Sequence, residues 1–106
     1  MRVWLYARLS NDDDREMNSL LNQREICQAF AEQHGYIIVG QSFDDNISGM
    51  SFDRRGLDEL MAAVDADKID VVIVKDLSRL GRHRTQTALF IDYLRERQVR
   101  VISATE

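Results

Sequence analysis

The sequence predicts an α/β domain with a mostly parallel central sheet of about four strands and helices on both faces. Short apolar runs alternate along the chain with longer stretches of helical spacing, and this alternation favours parallel strands joined by right-handed crossovers. The 106 residues, of which 44% are hydrophobic and 30% charged, fit one domain, residues 1–106, with a modest core. A lone cysteine and the lack of any apolar run near about 20 residues exclude a disulfide miniprotein and a membrane-spanning chain. We therefore expect the reducing cytoplasm as its compartment.

The first part of the chain predicts a strand, a loop and a helix. Arg2 to Ala7 (RVWLYA) is a short apolar run, which is typical of a buried strand. Asn11 to Met17 is polar and acidic and predicts a loop. Asn18 or Ser19 is suited to cap the helix that follows, and Gly35 is suited to stop it.

The middle of the chain repeats this order. Tyr36 to Ser42 (YIIVGQS) predicts a second strand. Asp44 to Asp53 holds turn-forming residues and predicts a long loop. An amphipathic helix follows, since apolar residues recur at i, i+3, i+4 and i+7, namely Leu57, Leu60, Met61 and Val64.

The last part of the chain adds two strands and one helix. Asp70 to Val74 (DVVIV) predicts a buried strand, and Lys75 to Arg84 a basic turn. Helical spacing returns in Leu89, Phe90, Tyr93 and Leu94, and Val99 to Ser103 (VRVIS) predicts the fourth strand.

Arginine dominates the basic residues: 12 of the 14 are arginine, although the formal net charge is −4. The negative balance argues against binding nucleic acid by bulk electrostatics, whereas the planar guanidinium fork suits phosphate or carboxylate. Ligands of open parallel sheets bind at the carboxyl ends of the strands. Six arginines fall in the segments that follow predicted strands: Arg8, Arg54, Arg55, Arg79, Arg82 and Arg84. Their clustering favours a functional set over ordinary surface salt bridges.

Ser10 lies just past the first predicted strand and is a candidate nucleophile. A hydrolase triad is not favoured, because the chain has only two histidines. His34 lies at a predicted helix end, where it suits a cap, and His83 in the basic turn has no evident acid partner. Fixed guanidinium groups can instead stabilise the charge that develops on a phosphodiester under attack. A serine among arginines therefore indicates phosphoryl transfer without a metal.

Two polar features leave alternatives open. Gln23 lies within the apolar arc of the first helix, where it either bonds nearby backbone or holds an active-site group. The carboxylates Asp44, Asp45 and Asp76 follow predicted strands, as in receiver-like or magnesium-dependent phosphotransfer domains. Cys27, on the same helical arc, is interpreted as core packing rather than as a reactive thiol.

Five segments, taken together and in this order, resemble the serine site-specific recombinases of the resolvase–invertase group. Tyr6-Ala7-Arg8-Leu9-Ser10 is similar to Y-x-R-x-S of that family, and Ser19-Leu20-Leu21-Asn22-Gln23 to S-L-x-x-Q. Phe43-Asp44-Asp45-Asn46-Ile47-Ser48-Gly49 is similar to F-x-D-x-x-S-G, and Asp53-Arg54-Arg55-Gly56-Leu57 to [DR]-R-x-G-L. Ser78-Arg79-Leu80-Gly81-Arg82 is similar to [DS]-R-L-x-R.

The resemblance implies a resolvase-like catalytic domain in which Ser10 attacks a DNA phosphodiester and forms a 5′-phosphoserine link. It implies that four arginines hold the scissile phosphate and that three side chains support the site: Arg8, Arg54, Arg79 and Arg82, with Gln23, Asp45 and Ser78. The reaction implied needs no cofactor, metal or ATP. A relative that keeps the fold only for dimerisation or regulation is the alternative, which the intact serine and arginine set disfavours.

Two departures from the family pattern bear on the protein's partners. Small resolvases usually carry aspartate at the position of Ser78. Serine at this position is similar to the large serine recombinases and transposon recombinases. The chain stops at Glu106, before the dimer-forming helix and DNA-binding region that the family places downstream. We therefore expect a catalytic fragment, with DNA sites bound mainly by downstream domains and with a homodimer that forms a tetramer on synapsed DNA.

Overall fold

A computed structural model describes residues 1–10, 18–46, 54–81 and 84–106. Within these ranges the elements are β1 (Arg2–Ser10), α1 (Leu20–Gln33), β2 (Ile37–Asn46), α2 (Arg55–Asp65), β3 (Val71–Val74), α3 (Arg84–Glu96) and β4 (Arg100–Ser103). The strands form one parallel sheet in the order β2-β1-β3-β4. The predicted fold class is confirmed. None of the helices in the described ranges has the length and apolar character to cross a bilayer.

The helices cover both faces of the sheet. On one face, Cys27 and Ala31 of α1 pack against residues of β1 and β3, including Leu5 and Ile73. On the other face, α2 and α3 cover Tyr6, Val72 and Val74. Because β3 is covered on both sides, all four of its residues are buried, which explains its uninterrupted apolar sequence. Cys27 is 1% exposed and lies within this cluster, so the prediction that this residue is core packing is confirmed. Burial also raises the pKa of its thiol to about 12.

Helix α1 begins and ends where the sequence predicts. Ser19 is its N-cap, and the Ser19 Oγ accepts a 3.0 Å hydrogen bond from the Asn22 N–H. After the helix, Gly35 takes a φ of +69°, a conformation that a residue without a Cβ adopts at little cost.

Two strands are longer than predicted. β1 continues past Ala7 to Ser10, and β2 continues past Ser42 to Asn46, so Asp44 lies in a strand and not in a loop. The two strands pair in register as far as Ser10 and Asn46. The prediction was wrong because polar residues there were interpreted as loop, whereas they alternate with Leu9 and with Phe43 as in a two-faced strand. The predicted loop over 11–17 lies outside the described residues.

The first turn of α2 lies directly against the backbone of β2, at Gly56. A Cβ added at Gly56 would lie 2.3 Å from the carbonyl oxygen of Phe43. The Gly56 carbonyl oxygen also accepts a 2.6 Å hydrogen bond from Ser42 Oγ, and Ser42 Oγ accepts one of 2.9 Å from Trp4 Nε1. Only glycine allows the helix to start this close to the sheet.

Replacing Gly56 with alanine should therefore destabilise the fold. The Cβ would force α2 away from β2, with an expected loss of about 1–3 kcal/mol in the free energy of unfolding. Urea unfolding of Gly56→Ala measures the loss, with Glu59→Ala, an exposed position on the same helix, as the matched control. A Gly56→Ala protein as stable as the wild type would show that the close approach is not required.

Candidate active site

The carboxyl end of β1 extends beyond the strand beside it. β1 pairs with β3 only from Val3 to Leu5, whereas it pairs with β2 along its whole length. On the β3 side, none of the described strands therefore accepts from or donates to the peptide groups of the last residues of β1. Buried peptide groups need partners, so side chains must supply them here.

Gln23 supplies both partners at Arg8. It is fully buried, and its Nε2 donates to the carbonyl oxygens of Arg8, at 2.9 Å, and of Asn18, at 2.8 Å. Its Oε1 accepts from the Arg8 N–H at 3.2 Å. A carboxamide carries a donor and an acceptor in one plane, as a peptide group does. This contact fits both interpretations of Gln23. The side chain bonds nearby backbone, and that backbone belongs to Arg8, a candidate site residue.

Arg79 also bonds the Arg8 carbonyl group, from a second direction. It is 4% exposed and lies in a one-turn 3₁₀ helix, Leu77–Arg79, that follows β3. Its Nη1 donates to the Arg8 carbonyl oxygen at 2.9 Å, and its Nη2 donates to Asn18 Oδ1 at 3.2 Å. The guanidinium group thus joins the end of β1, the start of α1 and the turn after β3.

Asp76 orients Arg79 and contacts Ser78. Asp76 Oδ2 accepts from Arg79 Nε at 3.4 Å and from Arg79 Nη2 at 3.2 Å. Asp76 Oδ1 accepts from the Ser78 N–H at 3.2 Å and from the Ser78 hydroxyl. Ser78 itself is exposed. Sequence reasoning considered Asp76 only as a possible metal ligand and missed that it orients this arginine.

Three of the four arginines predicted to hold phosphate surround one small cavity. Its lining residues are Tyr6, Arg8, Asp44, Arg54, Leu57, Arg79, Leu80 and Gly81. Arg8 is buried and its Nη2 donates to the Ser78 carbonyl oxygen at 2.6 Å. Arg54 is half-buried, and its guanidinium carbon lies 5.5 Å from the centre of the Phe90 ring. Arg82, the fourth, lies outside the described residues.

The cavity itself is too small for a phosphate. Its volume is about 10 Å³, which is room for about one water molecule. Ser10 ends β1 and is half-buried. Strand alternation places Ser10 on the same face as Arg8, about 6.6 Å further along the strand. A phosphodiester that meets both Ser10 and the arginines must therefore lie at the rim of the cavity.

The two carboxylates at the end of β2 lie on opposite faces of the sheet. Asp45 is exposed, pairs with Leu9 and lies beside a groove lined by α1 residues and Phe43. Asp44 is buried on the arginine face, where its Oδ2 accepts a 2.7 Å hydrogen bond from the Tyr6 hydroxyl. Burial and this bond raise the pKa of Tyr6, so the phenol stays protonated and donates.

The described ranges do not bring together the carboxylates that a magnesium pocket needs. Asp44, Asp45 and Asp76 do not come together, and no three His, Cys, Asp or Glu side chains described by the structure are placed to share a metal ion. The acidic run Asp12-Asp13-Asp14 lies outside the described residues. The described geometry therefore favours the arginine site.

The sequence matches one protein family over almost its whole length. The family model described as Resolvase, N terminal domain, matches residues 3–106. Transposon Tn3 resolvases of Escherichia coli and Klebsiella pneumoniae are each 35% identical to the chain over 96 residues. That alignment covers 91% of this chain and 44% of each resolvase, so the chain spans less than half the length of these relatives.

Solved structures share the fold. A resolvase family site-specific recombinase from Streptococcus pneumoniae superposes with a TM-score of 0.83 at 29% identity, over 98% of this chain and 72% of that chain. The C-terminal catalytic domain of ISC1926 TnpA, an IS607-like serine recombinase, gives 0.80 at 27% identity, over 98% and 70%. The N-terminal catalytic domain of TP901-1 integrase gives 0.82 at 24% identity, over 98% and 77%, and this likeness concerns the fold alone.

The double contact of Gln23 with Arg8 generates a stability prediction. Gln23→Glu keeps the shape of the side chain but replaces the donor that faces the Arg8 and Asn18 carbonyl oxygens with an acceptor. We expect it to lose about 1–3 kcal/mol in the free energy of unfolding, the cost of leaving a buried polar group unpaired. Gln41→Glu, at an exposed position of β2, is the control and should cost at most about 0.5 kcal/mol. Equal losses in the two variants, measured by urea unfolding, would contradict the assignment.

Proposed function

We propose, because the chain belongs to the resolvase N-terminal domain family, that it is the catalytic domain of a DNA recombinase whose nucleophile is Ser10. The observation that carries the proposal is the grouping of Arg8, Arg54 and Arg79 around one cavity on the face of β1 that Ser10 shares. A surface of unrelated salt bridges would not place two of these arginines in the interior.

The proposed reaction is a transesterification. Ser10 Oγ attacks the phosphorus of a DNA phosphodiester, a new O–P bond forms to serine, and the bond from phosphorus to the 3′-oxygen breaks. The Ser10 proton leaves the hydroxyl, and the released 3′-oxygen takes up a proton. The reverse attack by a 3′-hydroxyl, after strands are exchanged, rejoins DNA and restores serine. Because the phosphoester link is kept in the intermediate, rejoining needs no nucleotide cofactor and, in this proposal, no metal.

The arginines supply the charge that this reaction needs. Negative charge grows on the non-bridging phosphate oxygens during attack, and donors that are already in place stabilise it without reorganisation. Arg54 is the most accessible of the three and is proposed to contact the phosphate directly. Arg8 and Arg79 contribute positive charge and hold the strand end that carries Ser10, through the backbone contacts described above.

DNA is the proposed substrate, and its capture is assigned mainly to other parts of the protein. The formal net charge of −4 on this chain opposes binding to a polyanion. A homodimer that becomes a tetramer on synapsed DNA is proposed from the family resemblance. The isolated chain is therefore expected to bind DNA weakly even at low salt.

If Ser10 is the nucleophile, Ser10→Ala in the complete native protein should abolish the covalent protein–DNA adduct and leave DNA binding unchanged. Denaturing electrophoresis with labelled DNA carrying the cognate site, in excess EDTA, measures the adduct. Ser103→Ala, which removes a hydroxyl from β4, is the control and should keep it. An adduct that persists in Ser10→Ala would contradict the mechanism. A wild-type protein that forms the adduct on a pre-nicked site only when magnesium is present would also contradict it.

Lysine replacements should separate the roles of two arginines. Arg54→Lys keeps the charge but loses the planar fork, so the cleavage rate should fall about 10²–10³-fold with little change in stability. Arg79→Lys should lower both the cleavage rate and the free energy of unfolding, because lysine cannot bond Arg8, Asn18 and Asp76 together. Single-turnover cleavage and urea unfolding provide the two readouts. An Arg54→Lys protein within a few-fold of the wild-type rate would show that Arg54 acts only as surface charge.

A further inference from the structure

Asp44 is the one carboxylate that is buried among the residues the structure describes, with 2% of its surface exposed. Burying a carboxylate costs free energy unless donors surround it. Asp44 meets three donors: the Tyr6 hydroxyl at 2.7 Å, the Gly56 N–H at 2.7 Å and the Leu57 N–H at 3.0 Å. Three donors from two different elements therefore converge on this one buried side chain.

Two of the donors belong to the first turn of α2. The first N–H groups of a helix have no partner within the helix and are normally bonded by a local cap. The N-cap residue of α2 is Arg54, whose side chain makes no capping hydrogen bond. Asp44, which reaches over from β2, takes the place of the local cap, and the positive end of the helix dipole favours its charge.

The cap also determines where Arg54 stands. The Arg54 carbonyl oxygen accepts from the Asp58 N–H at 2.9 Å, so Arg54 is part of the turn that Asp44 bonds. Its side chain reaches the cavity that Asp44, Arg8 and Tyr6 also line, and it lies over the Phe90 ring. A shift of the first turn of α2 therefore moves Arg54 relative to Ser10 and Arg8.

We propose that Asp44 is a positioning residue for DNA cleavage, which acts through Arg54 by fixing the first turn of α2 to the ends of β1 and β2. The proposal rests on the proposed function, since it assigns Asp44 a part in that reaction. It does not place Asp44 in contact with DNA. Its neighbour Asp45, on the other face of the sheet, has no part in this contact.

The chemistry requires a carboxylate rather than an amide. Asparagine has the same shape but offers one acceptor oxygen, and its NH₂ group would face an N–H or hydroxyl that now donates to Asp44. Asp44→Asn also removes a negative charge from the lining of the cavity that Arg8 and Arg54 share. The amide variant thus loosens the turn while changing few atoms.

The test is a double-mutant cycle between Asp44→Asn and Arg54→Ala in the complete native protein. Single-turnover cleavage of DNA carrying the cognate site is the readout, with DNA binding measured alongside. Asp44→Asn should lower the cleavage rate about 10²-fold, the size of effect that a small misplacement of a reacting group produces. In the Arg54→Ala background, Asp44→Asn should lower it hardly further, because the group it positions is gone.

A control variant removes a carboxylate at the amino end of the strands, opposite the site. Asp70 bonds Arg2 at the start of β3, where Asp70 Oδ1 accepts from Arg2 Nη2 at 3.0 Å. Asp70→Asn should change the cleavage rate little, and by the same factor in both backgrounds. If Asp44→Asn also lowers the cleavage rate by the same factor in both backgrounds, the proposal is overturned. The role of Asp44 would then be structural and would not pass through Arg54.

Two further outcomes are decisive. If Asp44→Asn does not fold, Tyr6→Phe, which removes one of the donors to Asp44, takes its place in the cycle. A fall in the cleavage rate of Tyr6→Phe that vanishes in the Arg54→Ala background supports the proposal. Any other result overturns it. If the wild type forms no DNA adduct, the proposed function fails and the proposal fails with it. A wild type that forms the adduct while the cycle shows no coupling overturns the role of Asp44 alone.

Discussion

The arrangement of the site depends on the backbone N–H and carbonyl groups of Arg8. β1 extends past β3, so the N–H and carbonyl of Arg8 on that side must be bonded by side chains. Gln23 bonds both, and Arg79 bonds the carbonyl as well. Each buried group left unpaired would cost about 1–3 kcal/mol, which makes these contacts a strong constraint on where α1 and the turn after β3 can lie.

The same contacts explain how like charges are kept together. Guanidinium groups in the interior repel one another and lose hydration, so each needs acceptors. Arg8 donates to the Ser78 carbonyl, and Arg79 donates to Asp76, Asn18 and the Arg8 carbonyl. These acceptors hold the positive charge at the carboxyl edge before any substrate is present. Such preorganisation suits a reaction in which negative charge develops on a phosphate.

Much of this fold could be predicted because its signals are local. Apolar runs identified the strands, Ser19 and Gly35 bounded α1, and the position of arginines after strands indicated the edge that carries the site. Gln23 stood out because a polar residue interrupts an apolar arc. The extra length of β1 and β2 was missed because polar residues at the strand ends resemble a loop. Their alternation with Leu9 and Phe43 fits a strand, but only the pairing of the two ends with each other shows that the strands continue there.

The roles of the acids also depend on tertiary structure. Motif spacing singled out Asp45, yet strand pairing turns Asp44 toward the arginines and Asp45 away from them. Ser78 matched a motif position, whereas Asp76, two residues earlier, orients Arg79. In the first case two adjacent carboxylates differ only in the face of the sheet to which the strand directs them. In the second case the cap of a one-turn 3₁₀ helix brings Asp76 to both Ser78 and Arg79.

The most direct test of the account is to locate the covalent bond to DNA by tandem mass spectrometry. The complete native protein is trapped on its DNA site, digested with protease and nuclease, and the nucleotide-bearing peptide is sequenced. The expected result is a 5′-phosphonucleotide on Ser10. A nucleotide attached to any other residue, or through its 3′-phosphate, would contradict it.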